Sequence, residues 1–80
     1  MNYHKYIIVG VRGCTLAIIF DHILSHEEVA KNHTVFSAGF FDVDYEKKIV
    51  NTFGESTSLK RKSKKDDARF IERVLFLERN

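Results

Sequence analysis

The sequence predicts an α+β fold, a four-stranded, mainly antiparallel sheet with two helices on one face, in the order β-β-α-β-β-α. Three observations lead there. Two pairs of β-branched or aromatic runs are each joined by turn residues. Two helix starts carry a serine followed three residues later by an acidic residue. Eighty residues leave room for one core, and so for a single domain spanning 1–80 with a few kcal/mol of net stability.

The first hairpin comes from Lys5, Ile7, Val9 and Val11 alternating with Tyr6, Ile8 and Gly10, then Arg12-Gly13, then the apolar run 15–20. Gly13 supplies the positive φ of a tight turn. Both strands are apolar on both faces, which places them centrally in the sheet. Ser25 with Glu28 forms a capping box that opens a short helix reaching about Lys31, and Asn32 stops it.

Strand character returns over 34–45, with Phe36, Ala38 and Phe40 on one face, Val35, Phe41 and Val43 on the other, and Gly39 as the candidate bulge. Residues 44–47 carry turn chemistry, and 49–53 form the return strand that Gly54 ends. Ser63-Lys64-Lys65-Asp66 reads as a second capping box, with Asp66 and Asp67 at the positive end of the helix dipole. The last helix runs to about Glu78. Its apolar arc holds Ala68, Phe70, Ile71, Val74, Leu75 and Leu77, and Phe76 falls opposite, on the face expected to be wet, near Arg69, Arg73 and Glu72.

A hydrophobic fraction of 44% with seven Phe and three Tyr is too apolar for a disordered chain. The single Cys14 excludes an internal disulfide and a Cys-x-x-Cys zinc site, and fits a reducing compartment. The apolar segment 6–20 is interrupted by Arg12 and lacks a small-residue cleavage motif, so export and membrane insertion are not expected. Residues 11–14 place Arg where a lipoprotein cleavage box needs a small residue.

Charge is uneven. Residues 1–59 hold five bases against seven acids, net −2, whereas residues 60–80 hold eight against four, net +4. Lys60, Arg61, Lys62, Lys64 and Lys65 concentrate five cations in six residues, enough to release counterions from a nucleic-acid backbone. The first reading of the run is nevertheless a solvated loop, with contact to nucleic acid or phosphate next and an acidic protein last. It lacks P-loop spacing and carries no aromatic for base stacking.

Other clusters carry less. His22 and His26 are four apart, with His4, His33 and Asp21 as further candidate ligands, but the helix starts between the pair and breaks the geometry zinc would need. These histidines are expected at the surface or in turns, with no metal and no cofactor. Cys14, beside a hairpin turn, reads as packing, and no nucleophile and base can be paired, so no catalytic residue and no enzyme is expected. Asp42, Asp44 and Glu46 read as a solvated hairpin end, since a calcium loop needs a glycine and a terminal glutamate absent here.

Phe76, flanked by Arg69 and Arg73, has the composition of an interface anchor. The alternative for a last-turn Phe is to fold back onto a strand edge.

At Ser37-Ala38-Gly39-Phe40-Phe41 and Gly54-Glu55-Ser56-Thr57-Ser58-Leu59, with Lys62-Ser63 and Asp67-Ala68 downstream, the chain resembles small uncharacterised proteins carried by bacteriophages and prophages. The resemblance covers mainly residues 37–68, and no residue inherits a role from it. Five bases stand before the final helix where one or two are expected. The resemblance implies a setting: a non-enzymatic accessory protein in the cytoplasm of a bacterial host, binding and modulating a host macromolecule. A host protein is the first expectation, with contact through Phe76, Arg69 and Arg73. Nucleic acid bound by residues 60–65 is the alternative. A homodimer is left open, and no membrane partner is expected.

Overall fold

The structure, a computed structural model, describes residues 3–76. It contains β1 (His4–Val11), β2 (Cys14–Phe20), α1 (His26–Ala30), β3 (Thr34–Asp44), β4 (Ile49–Phe53), β5 (Glu55–Ser56), β6 (Arg61–Lys62) and α2 (Asp67–Phe76). The first four strands form one antiparallel sheet in the order β2-β1-β3-β4, and β5 pairs with β6 in a small second sheet. The fold is therefore α+β, with one more hairpin than the sequence predicts. Glu78 and Leu77, assigned above to the last helix, lie outside the described residues.

Local chemistry explains most of the boundaries. Arg12 and Gly13, with φ of 50° and 82°, make the two-residue turn that closes Val11 against Cys14. Asn32, at φ 69°, follows α1, and Gly54, at φ 75°, separates β4 from β5. The Ser25 capping box is present in full: Glu28 N–H donates to Ser25 Oγ at 3.1 Å, and Ser25 N–H to Glu28 Oε1 at 3.0 Å.

The two helices do not share a face. Tyr6, Ile8, Phe41 and Val50 form one core with Ile71 of α2, whereas Ile7, Val9 and Ala38 form a second with Ala30 of α1. The reason is legible in β1, where neighbouring residues 6–9 are all buried. A strand apolar on both sides needs a cover on each. Leu59, from the turn between β5 and β6, helps the five-residue α1 close its side.

Three further expectations change. Only β1 of the first hairpin is central among its neighbours; β2 is an edge strand. The register shift falls between Ile8 and Val9, where β3 inserts Phe36 as an extra residue, not at Gly39. That bulge turns Phe36 toward α2's side, where its ring fills the space a side chain at position 10 would need: a Cβ on Gly10 would lie 2.8 Å from the ring. Gly39 serves a different close approach, since a Cβ there would meet the Phe53 carbonyl oxygen at 2.7 Å.

Candidate functional site

The basic residues 60–65 run from the β5–β6 turn to the approach of α2. Lys60 occupies the turn at φ 55°, Arg61 and Lys62 form β6, and all five cations are exposed. One of them has a structural role. Arg61 Nε donates to the Val35 carbonyl at 3.2 Å and Nη1 to the Lys60 carbonyl at 3.2 Å, so its guanidinium fastens the small hairpin to β3. The four lysines make no ion pair among the described residues, where the pair found is His22 with Asp21 at 3.0 Å.

The start of α2 decides how much of that positive field is cancelled. Ser63 and Asp66 do not form the expected capping box. Instead Asp67 turns inward and is 3% exposed. Its carboxylate accepts hydrogen bonds from the Lys64 N–H at 2.8 Å, from Ser37 Oγ at 2.8 Å and from the buried Tyr6 hydroxyl. Burial first, and then the bond to and charge of Asp67, push the Tyr6 hydroxyl well above its ordinary range, which keeps it a donor. Of the two acids beside the lysines, only Asp66 faces solvent.

Asp67 also sets the rotation of α2. With that carboxylate held by Tyr6 and Ser37, the core receives Ala68, Phe70, Ile71, Leu75 and Phe76, and Val74 is left 50% exposed. Phe76 is therefore not on a wet face. It is half-buried and packs edge-on to Tyr45, with ring centroids 5.9 Å apart. The fold-back alternative describes it. Arg69 and Arg73 remain exposed one turn apart, and Arg73 sits 5.6 Å from the centre of the Phe70 ring. Lys65 precedes Arg69 by four residues, so the cations continue from the hairpin onto the outer side of the helix.

The histidines do not converge. His26 is 5% exposed, between Phe20 at 5.5 Å and Phe40 at 5.3 Å, and its Nε2–H donates to the Gly39 carbonyl at 2.8 Å. Burial lowers its pKa below the ordinary 6.5, Lys5 adds to the fall, and the bond to Gly39 offsets part of it. His22 is exposed and bonded to Asp21. The expectation of surface histidines thus fails for His26. Its signal was the spacing of His26, Val29 and Ala30, which puts the ring on the apolar side of α1. Cys14 is exposed, so it is not packing. Asp42 accepts from Asn51 Nδ2 at 3.1 Å and Asp44 from the Lys47 N–H at 3.2 Å, both serving the β3–β4 hairpin.

A groove lined by His4, Ile19, Phe20, Asp21, Phe41, Tyr45 and Leu75 opens at the end of the sheet near the last turn of α2. His4, Asp21 and Tyr45 bring its exposed polar groups. No helix among the described residues is long and apolar enough to cross a membrane. Neither a family model, nor a curated protein, nor a solved structure matches the chain.

Proposed function

We propose that the protein is a non-enzymatic binding module that docks the phosphate backbone of nucleic acid through Lys60, Lys62, Lys64 and Lys65, extended along α2 by Arg69 and Arg73. The observation that carries this reading is the combination of four exposed lysines that make no ion pair among the described residues with an Asp67 turned away from them into the core. Each phosphate neutralised releases counterions, so affinity is sequence-independent and steeply salt-dependent. No stacking aromatic stands on the loop, which favours backbone contact over base readout. The setting suggested by the resemblance, a phage-type accessory protein in a bacterial host, is part of the proposal.

The test is fluorescence anisotropy with a labelled duplex across a salt series. Lys60, Lys62, Lys64 and Lys65 replaced together by Ser should flatten the slope of log K against log salt by about 3 to 4, while Arg61 is kept because it holds β3. Absence of binding at about 50 mM salt overturns the reading. A host protein with an acidic face is the second reading, favoured by the exposed Val74 beside Arg73. Its contacts would be Arg69 and Arg73, with Phe76 supporting the helix end from beneath. A discrete protein retained from bacterial lysate after nuclease treatment, and lost with Arg69→Ala/Arg73→Ala, would select it.

A further inference from the structure

Among the described residues, no strand pairs with the outer edge of β2. It is seven residues long, Cys-Thr-Leu-Ala-Ile-Ile-Phe, and pairs with β1 in unbroken register from Lys5↔Phe20 to Val11↔Cys14. It holds no charge, no proline and no bulge, the devices by which edge strands usually avoid a neighbour. Leu16 is 47% exposed. The opposite edge is different: β4 has five residues, includes Asn51 and Thr52, and is tied through Thr52 Oγ1 to the Lys64 carbonyl at 3.5 Å.

The backbone fixes what the β2 edge offers. A two-residue turn closes Val11 and Cys14 as a hydrogen-bonded pair, and such pairs alternate along an antiparallel ladder. Cys14, Leu16, Ile18 and Phe20 therefore spend their N–H and C=O groups on β1, while Thr15, Ala17 and Ile19 aim theirs outward. Those three positions are symmetric about Ala17.

We propose that the occupant of this edge is a second copy of the chain, with two β2 strands pairing antiparallel across a two-fold axis at Ala17. In that register Ala17 meets Ala17, Thr15 meets Ile19, and about six backbone hydrogen bonds form. No like charges face each other within the strands. Continued past the strands, the register sets Cys14 against Phe20 and the turn residue Gly13 against Asp21 of the partner subunit, so that carboxylate meets an uncharged residue and not a like charge. The pairing joins two four-stranded sheets into one and puts both α2 helices on the same side of it.

Sedimentation equilibrium of the full chain, with disulfide trapping, tests the proposal. Thr15→Pro removes an outward N–H that β1 does not use, so it should keep the circular dichroism of the parent and weaken self-association by about tenfold or more. Ala17→Cys with Cys14→Ser should form a disulfide-linked dimer on mild oxidation, because a hydrogen-bonded antiparallel pair holds its Cα atoms about 5.5 Å apart. Thr15→Cys with Cys14→Ser should not, its counterpart lying about 13 Å away along the strand. A monomer at all concentrations up to about 1 mM, which corresponds to a binding free energy weaker than about −4 kcal/mol, overturns the proposal. So does trapping at position 15 as readily as at 17. Should Thr15→Pro fail to fold, the trapping pattern decides alone.

Discussion

The two faces of the central sheet are closed by opposite means. On one, the ten-residue α2 crosses the sheet and is held at its start by a buried carboxylate with three donors; on the other, a five-residue α1 covers little, and a histidine between two phenylalanines and Leu59 of the β5–β6 turn help to close it. Both devices place a polar group at an apolar interface and satisfy it with groups distant in sequence. They differ in charge. Asp67 is acceptor-only and takes its donors from three segments, whereas His26 is neutral when buried and donates to a single carbonyl. Removing the first leaves three donors without their acceptor, whereas the second is weakened in acid.

The largest effect should come from Asp67→Ala, which strands the Tyr6 and Ser37 hydroxyls in the core and frees the start of α2. A loss of about 3 kcal/mol in urea unfolding is expected, and a loss under about 1 kcal/mol would mean the two faces are not held differently. His26→Ala should cost about 2 kcal/mol at pH 8 through the space left between Phe20 and Phe40 and the unpaired Gly39 carbonyl.

The acid behaviour of His26 follows from its lowered pKa. The unfolded chain binds the proton more readily than the folded one, so stability is complete above about pH 6.5 and falls as the pH drops below that value toward the folded pKa. His26→Gln should remove this component of the decline between pH 7 and pH 5, as measured by the difference in urea midpoint between the two proteins. Equal slopes would mean that His26 does not carry this part of the acid decline.

Phe76→Ala should cost about 1 to 2 kcal/mol, since the ring is half-buried against Tyr45 rather than exposed. Unchanged stability would return it to the wet face. Ser25→Ala should have the smallest effect, about 1 kcal/mol, by removing one half of the α1 capping box.

Much of this was legible one residue at a time. The two-residue turn at Arg12 and Gly13, the capping box at Ser25, the positive φ of Asn32 and the break at Gly54 each follow from a conformation that a few adjacent side chains favour. The basic run was equally plain, because charge counting needs no fold. The site that organises it was not. Asp67 stands four residues before Ile71 on the same stripe of α2, but its role depends on Ser37 and Tyr6, 30 and 61 residues away.

The sequence by itself therefore determined the four main strands, the two helices, the turn of the first hairpin and that β1 is apolar on both sides, though not the small β5–β6 hairpin; these rest on short-range sterics and hydrogen bonds. Only the tertiary structure decided which face each helix covers, that β2 stands at an edge, that Phe36 bulges onto Gly10, that Phe76 meets Tyr45, and that Asp67 and His26 turn inward. The physical reason is that a buried polar group or an apolar face is stable only against a matching partner, and those partners are brought together by the whole chain at once.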